Sequence, residues 1–448
     1  MSSEAALHPL ARELNERLAA SAPEVLEMLS GLGRRLYFPR GIITQSAEAR
    51  ARAKRMNATI GIATEAGGPM YLPSIQAYLD LQPEEVYPYA PPGGRAELRE
   101  RWREKLLAEN PSMHGCRFGM PVVTAAITHG LAVAGDLFVD PGDVILAPDM
   151  LWGNYRLTFE VRLGARIVTH PSFRGRGFDV EGFRAVLRRE AASRSKLIAL
   201  LNFPNNPSGY MPTEEEGRAI AEALVEQARA GTRIVALVDD AYFGLFYHLG
   251  GPSMTESLFG LLAGREPGLL AVKLDGATKE LFVWGLRCGF LTFGPGRPDT
   301  AEPVLEVLDA KARGAIRGGI SNAPALSQSL VERALGSSSV VEERKQKREV
   351  LRRRAERVFE IVHRERYRPS FDPHPFNSGY FMCVRVKGVD AEAVRQRLLD
   401  EHGVGVISIG SSDLRVAFSC LELDQIEPLF EAIHQVVQEL REAGRGGG

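Results

Sequence analysis

The chain has 448 residues, and its 55 basic and 56 acidic side chains leave a formal net charge of −1 at pH 7. Hydrophobic residues make up 44% and charged residues 25%, a composition that excludes a disordered or fibrous chain and predicts about two or three folded domains. The near-zero charge argues against a nucleic-acid-binding protein, which needs a basic face to neutralise phosphates. No apolar run approaches the ~20 residues that span a bilayer, so we expect no association with a membrane.

The N-terminus and the cysteines indicate the cellular compartment. Residues 1–30 are amphipathic and contain acidic side chains, so they resemble neither a signal peptide nor a transit peptide. The four cysteines (Cys116, Cys288, Cys383 and Cys420) lie far apart and without metal-ligand spacing, which argues against a disulfide framework. We therefore expect a cytoplasmic, enzyme-like protein with no bound metal.

Apolar side chains at helical spacing over residues 11–32 predict one or two N-terminal helices. The middle of the chain carries short apolar runs that are typical of strands buried on both faces. They predict one large α/β domain with about five or six strands, mostly parallel and covered by helices. The runs are Val144–Ala147, Ala165–Val168, Leu197–Leu201, Ile234–Val238, Gly268–Leu274 and Gly289–Phe293.

After about residue 300 the pattern becomes helical and highly charged. Residues 342–366 place an apolar stripe among acidic and basic side chains, which favours a solvated connecting helix over a basic nucleic-acid-binding patch. Strand-like segments follow at 379–386, 403–408 and 413–418, and a final helix is expected over 423–442. This part of the chain predicts a smaller α+β unit.

Three segments place polar side chains at or near the ends of these apolar runs. Asn202–Gly209 is either a ligand-binding edge of the sheet or a Pro/Asn/Gly turn. Asp239 and Asp240 follow the next run, where a carboxylate can hold a cationic ring nitrogen or simply cap a helix. Lys279, with Arg287 eight residues later, suggests a Schiff-base amine beside a phosphate anchor, although a lone lysine is usually a solvated surface residue.

In this order, the three segments resemble the pyridoxal-phosphate-dependent aminotransferases of classes I and II, fold type I, whose type member is aspartate aminotransferase. The resemblance extends from about Tyr87 to Arg415. It implies a mostly parallel central sheet sandwiched by helices, plus a smaller α+β domain. It also implies a large cofactor-binding domain at 70–325 and a discontinuous small domain made of 1–69 and 326–448.

The resemblance implies a role for each matching residue around pyridoxal 5′-phosphate. Lys279 corresponds to the Schiff-base lysine, which later becomes the base that moves the substrate's proton. Asp239 corresponds to the carboxylate that keeps the pyridine nitrogen protonated. Asn206 and Tyr242 correspond to the two partners of the cofactor's 3-oxygen, and Trp152 to the aromatic residue stacked on the ring.

The cofactor's phosphate is expected at the start of a helix. The resemblance implies that Ala126, Ile127 and Thr128 cradle it with backbone N–H groups and a hydroxyl, and that Arg287 pairs with it. The family usually has glycine or serine where Ala126 stands, and often has a phosphate-binding serine where Gly276 stands. The sequence therefore departs from the family at two phosphate contacts.

A further segment, Tyr87–Gly94, implies a homodimer with shared active sites, because Tyr89 would reach the phosphate of the neighbouring subunit. Arg415 corresponds to the arginine that clamps the substrate's α-carboxylate. Arg317 corresponds to the arginine that binds a side-chain carboxylate from the other subunit, or is an interface residue of a divergent branch. Gly61 resembles a glycine that lines the substrate pocket, although its alignment stays open.

These residues predict an aminotransferase that exchanges an amino group between an L-amino acid and a 2-oxo acid by a ping-pong mechanism. The amino acid is dicarboxylic, such as aspartate or glutamate, or aromatic, and 2-oxoglutarate is the expected acceptor. A lyase, cyclase or decarboxylase remains the alternative, because the same cofactor can cleave any bond held perpendicular to its ring. A regulator without turnover is disfavoured because Lys279 is present.

Overall fold

The computed structural model describes residues 7–38 and 41–446. In these ranges no helix is both long enough and apolar enough to cross a membrane. A π-helical turn covers Arg156–Val161. The α-helices are Pro9–Ser21, Pro23–Met28, Gly31–Arg35, Ile42–Arg52, Pro73–Ala77, Pro83–Val86, Ala96–Glu109, Ala126–Phe138, Val180–Ala191, Glu214–Arg229, Phe259–Leu262, Ala277–Glu280, Ala301–Gly319, Ala325–Leu335, Ser338–Val362, Ala391–His402 and Leu423–Gly446.

A seven-stranded sheet forms the centre of the molecule. Its strands are β1 (Val122–Thr124), β2 (Val144–Pro148), β3 (Arg166–His170), β4 (Lys196–Asn202), β5 (Arg233–Asp239), β6 (Leu269–Gly276) and β7 (Gly289–Pro295). They lie in the order β1-β7-β6-β5-β4-β2-β3, and β7 alone runs against its neighbours. All six predicted runs are strands of this mostly parallel sheet. The prediction missed β1, because a strand of three residues is too short to show a period.

A second, antiparallel sheet is built from β8 (Phe371–Pro373), β9 (Phe381–Val386), β10 (Ile407–Ile409) and β11 (Asp413–Ala417), in the order β8-β9-β11-β10. Beside it, Met56–Asn57 pairs in parallel with Val404–Gly405, so the N-terminal segment is hydrogen-bonded to the C-terminal part of the chain. Two-residue ladders also pair Thr64–Glu65 with Gly68–Pro69 and Phe173–Arg174 with Gly177–Phe178. The domain boundaries at 69/70 and 325/326 stay a prediction.

The helix predicted at 342–366 spans Ser338–Val362 and is not simply solvated. Its apolar stripe is packed inward, and Arg354 on the same face is only 1% exposed. The Arg354 guanidinium donates to the backbone oxygens of Thr64 and Ser419 at 2.7 and 2.8 Å. This helix therefore connects the N-terminal segment to the C-terminal part of the chain.

The register of the large sheet brings the predicted segments together. Asp239, at the end of β5, pairs with Asn202 at the end of β4 on one side and with Leu274 of β6 on the other. Because these strands are parallel, their carboxyl ends meet at one edge of the sheet. The segments that follow β4, β5 and β6 share this edge.

Candidate active site

A cavity of about 420 Å³ opens at this edge, between the large sheet, the second sheet and the N-terminal segment. Its volume lies within the range of small-molecule sites. Most residues singled out from the sequence line it. They are Gly61, Ala126, Ile127, Thr128, Trp152, Asn206, Asp239, Tyr242, Lys279, Arg287 and Arg415.

Asp239 is a buried carboxylate, 1% exposed, at the end of β5. Its Oδ2 accepts a short hydrogen bond from the Tyr155 hydroxyl, and its Oδ1 accepts one from the Ala241 N–H at 3.0 Å. Burial raises the pKa of Asp239, whereas the Tyr155 bond and the nearby Lys279 ammonium act in the opposite direction. The carboxylate is therefore fixed in place with both oxygens bound.

Lys279 lies in the short helix Ala277–Glu280, which directly follows β6. Its Nζ is 4.7 Å from the centroid of the Tyr242 ring. Burial lowers the pKa of Lys279 to about 8, with Asp239 opposing and Arg287 reinforcing the shift. At neutral pH about a tenth of this amine is therefore uncharged, far more than for an ordinary lysine. The site thus holds an amine that is prepared for nucleophilic attack.

Tyr242 is 4% exposed, and burial raises the pKa of its hydroxyl well above the ordinary value. Its ring meets Tyr380 and Phe381 edge to face, at centroid distances of 5.4 and 5.6 Å. Trp152 meets Tyr155 in the same way at 5.4 Å. Edge-to-face aromatic contacts therefore fix the orientation of the Tyr242 and Trp152 rings at the cavity wall.

The first turn of helix Ala126–Phe138 is a candidate anion site. Among the described residues, no side chain accepts a hydrogen bond from the N–H groups of residues 126–128, so these groups are available to a ligand. Ala126 itself has a φ of 65°, in the left-handed region. The loop packs tightly on β7, since a Cβ at Gly289 would lie 2.6 Å from the Ala126 carbonyl carbon. His129 Nδ1 accepts the Ala125 N–H at 3.0 Å and holds the other side of the loop.

Thr278 adds a feature that the motifs did not single out. The side chain is 5% exposed and lines the cavity beside Lys279. Within the described part of the chain, its Oγ1 has no hydrogen-bond partner. A buried hydroxyl without a partner is costly, so this atom fits a ligand that supplies one.

Arg415 is a buried cation of the cavity that contacts both the N-terminal part of the chain and the segment after β4. It lies on β11, is 2% exposed, and donates to the Thr59 backbone oxygen at 2.9 Å and to Asn206 Oδ1 at 3.3 Å. Its guanidinium carbon is 4.2 Å from the centroid of the Phe381 ring. Burial lowers the pKa of Arg415, and its Nε has no partner among the described residues. This buried cation is therefore suited to an anionic ligand.

Most of the charged residues that line the cavity are basic. Among the described lining residues, Arg50, Lys279, Arg287 and Arg415 are basic, and Asp239 is the acidic one. Concentrated positive charge of this kind favours a ligand with several anionic groups.

Two predicted site residues lie outside the cavity. Tyr89 is 91% exposed in the loop that follows helix Pro83–Val86. Arg317 is exposed at the end of helix Ala301–Gly319, where it donates to Ser321 Oγ at 2.6 Å. The resemblance assigns both residues to the site of the other subunit, so their roles stay predictions.

Several cavity residues were not predicted. Tyr155 follows Trp152 by three residues, a helical spacing that could have indicated a shared face. Thr278 is adjacent to Lys279. Ser46, Ala47 and Arg50 come from helix Ile42–Arg52, and no motif there marks them.

Comparison with curated proteins finds relatives that are named as aminotransferases or transaminases. The chain is 26% identical over 268 residues to a probable aspartate/prephenate aminotransferase of Aquifex aeolicus, a match that covers 59% of this chain and 64% of the relative. It is 26% identical over 345 residues to an arginine–pyruvate transaminase of Pseudomonas aeruginosa, covering 75% of this chain and 77% of the relative. For the first relatives matched, the similarity spans about half to two thirds of their length.

Solved structures support the fold. An aminotransferase from Anaerococcus prevotii superposes with a TM-score of 0.79 at 20% identity, covering 92% of this chain and 99% of that one. A multiple substrate aminotransferase from Thermococcus profundus gives 0.75 at 14% identity, covering 92% and 98%. The predicted fold class is thereby confirmed. A family model described as aminotransferase class I and II matches residues 68–433, and the chain belongs to this family.

Proposed function

We propose that this protein is an aminotransferase that uses pyridoxal 5′-phosphate. It would exchange an amino group between an L-amino acid, dicarboxylic or aromatic, and a 2-oxo acid such as 2-oxoglutarate, by a ping-pong mechanism. The observation that carries the proposal is the Lys279 amine, with its pKa lowered to about 8, in one cavity with the buried Asp239 carboxylate.

The residues present fit the cofactor. Asp239 would hold its ring nitrogen, while Asn206 and Tyr242 would bind its ring oxygen and Trp152 would lie against the ring. Its phosphate would bind the uncapped helix start at 126–128. The absence of a capping side chain there supports this assignment.

Two further side chains would complete the phosphate site. Arg287 lines the cavity and carries the charge for this role. The Thr278 hydroxyl, which has no partner among the described residues, lines the same cavity two residues after Gly276 and would replace the donor lost there.

When bound, pyridoxal phosphate supplies an electron sink for the negative charge that develops at the substrate's Cα. Lys279 would hold the cofactor and, once the substrate's amine replaces it, would take the proton from Cα and return it on the cofactor side. A lowered pKa suits this exchange, because a general base works best when its pKa is near the working pH.

Arg415 would bind the substrate's α-carboxylate and so orient Cα. Its contacts with Asn206 and Thr59 leave Nε unpartnered, which supports a ligand at this end of the cavity. Gly61 lines the cavity and would border the substrate, since a Cβ there would meet no atom of the described residues within 4 Å. Tyr89 and Arg317 would complete the site of the second subunit in a cytoplasmic homodimer.

The test is direct. The purified protein should take up pyridoxal phosphate and turn yellow, borohydride should make the attachment irreversible, and Lys279→Ala should abolish it. Amino donors mixed with 2-oxoglutarate should then yield glutamate. A protein that takes up no cofactor would refute the proposal, and release of ammonia or pyruvate in place of glutamate would favour a lyase.

A further inference from the structure

One cation of the cavity has no role in the proposed function. Arg50 lines the cavity on helix Ile42–Arg52, together with Ser46 and Ala47, and its side chain is exposed. Its guanidinium forms no hydrogen bond or ion pair with any described residue. An arginine held at a cavity wall without a partner is available to an anionic ligand.

Helix Ile42–Arg52 packs against the rest of the protein with the face opposite Arg50. Four of its residues, at the spacing i, i+3, i+4 and i+7, lie on that face, and Ser46, Ala47 and Arg50 lie on the other. These four contact the second sheet, the strand Val404–Gly405 and helix Ala391–His402. They are Gln45, Glu48, Ala49 and Arg52.

The docking contacts are specific. Gln45 exchanges two 2.9 Å hydrogen bonds with Ser408, one to its hydroxyl and one from its N–H. Glu48 forms a 2.9 Å ion pair with Arg395. A Cβ at Gly405 would lie 2.7 Å from Ala49 Cβ, so the helix backbone approaches the strand Val404–Gly405 closely. The opposite face is therefore held against the cavity.

The remaining cations of the cavity are assigned. Arg287 would serve the phosphate, Arg415 the α-carboxylate and Lys279 the cofactor. Arg50 lines the same cavity as Arg415 but comes from a different element, helix Ile42–Arg52 instead of β11, so it can contact a second anionic group of the same ligand. We propose that Arg50 binds a carboxylate at the end of the substrate's side chain, and that the substrate class is dicarboxylic amino acids and their 2-oxo acids. This inference rests on the proposed function for the position of the substrate.

This recognition is supplied by the same chain that supplies Lys279 and Arg415. It differs in that respect from Arg317, which would act from the other subunit. A bidentate guanidinium matches the planar geometry of a carboxylate, and one placed cation distinguishes a charged side chain from a neutral one of similar shape.

The test measures binding and turnover on the cofactor-loaded protein. Glutarate, which has no amino group, is compared with pentanoate by calorimetry, and glutamate is compared with norvaline by kcat/KM. Arg50→Ala should weaken glutarate binding and glutamate turnover about 10- to 100-fold, as for a lost charged hydrogen bond, and should change pentanoate and norvaline less than about threefold. Arg50→Lys should retain part of the preference.

Arg52→Ala is the matched control, because it removes the same charge from the docked face, where Arg52 pairs with Asp400. It should leave the glutarate-to-pentanoate ratio unchanged. An unchanged ratio in Arg50→Ala, or an equal loss in Arg52→Ala, would overturn the inference. If no amino acid is turned over but glutarate binding still depends on Arg50, the proposed function fails and the Arg50 site stands.

Discussion

The hydroxyl of Tyr155 donates a short hydrogen bond to Oδ2 of Asp239, and both groups are almost fully buried. Burial, together with the Asp239 charge, raises the pKa of Tyr155 well above its ordinary value. The phenol therefore remains a donor throughout the physiological range. Its bond favours the ionised form of Asp239, which burial alone would disfavour.

Tyr155→Phe should therefore lower the affinity for the cofactor without abolishing its binding. Removal of the donor leaves one oxygen of a buried carboxylate unpartnered, which costs about 1–3 kcal/mol. We expect cofactor affinity to fall by about 5- to 100-fold and the pKa of Asp239 to rise further. Titration of the cofactor-free variant with pyridoxal phosphate measures this, and unchanged affinity would contradict it.

Asp239→Asn and Asp240→Asn form a matched pair of neighbouring substitutions. Asp239→Asn should lower kcat by at least about 10²- to 10³-fold, because it removes a fixed charge from the reacting centre. Asp240 instead contacts the buried Lys273 and Ser257, away from the cavity. Asp240→Asn should cost about 3–5 kcal/mol of unfolding free energy, since it breaks a buried ion pair. Turnover measurements and thermal unfolding distinguish the two, and equal profiles would refute the assignment.

The pH dependence of cofactor attachment follows from Lys279. Only the neutral amine attacks an aldehyde, and the pKa of Lys279 is lowered to about 8. The attachment rate to cofactor-free protein should rise about tenfold per pH unit below pH 8 and level off above it. Stopped-flow absorbance from pH 6 to 10 measures this. A rate that still rises at pH 10 would show an ordinary lysine. Asp239→Asn should move the midpoint to lower pH, because the Asp239 charge raises this pKa.

Gly289→Ala tests the anion loop. The new Cβ would lie 2.6 Å from the backbone of Ala126 and would push the helix start out of place. We expect the affinity for pyridoxal phosphate to fall by about 5- to 100-fold, the equivalent of a 1–3 kcal/mol overpacking cost. Gly285→Ala is the control, since a Cβ there would meet nothing within 4 Å. Equal affinities in the two variants would argue against phosphate binding at this loop.

Arg317→Ala tests the contribution across the subunit interface. If Arg317 binds a side-chain carboxylate in the partner's site, its loss should lower kcat/KM for aspartate about 10- to 100-fold and leave phenylalanine nearly unchanged. Arg313→Ala, one turn earlier on the same helix and paired with Asp309, is the control. Equal losses for the two substrates would make Arg317 an interface residue only.

Sequence reasoning identified six of the seven strands of the large sheet and the polar residues that follow some of them, because buried runs and turn residues are local signals. Asp239 directly follows such a run and Asn206 lies in the turn after another, and the resemblance to the family gave the two residues their expected roles. Tyr155 and Arg50 could not be predicted, because their roles depend on packing. Tyr155 immediately precedes a π-helical turn, and its partner Asp239 is 84 residues away in the chain. Arg50 reaches it because its helix docks on segments about 350 residues away in the chain.

The hydrogen bond from Arg415 to the backbone oxygen of Thr59 has a consequence for any shortened form of this protein. A fragment that began at residue 68, where the family match begins, would contain Lys279, Asp239 and Arg415. It would nevertheless lack Thr59 and the whole wall formed by helix Ile42–Arg52. The cavity would be open to water on that side, and Arg415 would lose one of its two hydrogen-bond partners. The segment that the family model matches is thus smaller than the unit able to enclose a substrate.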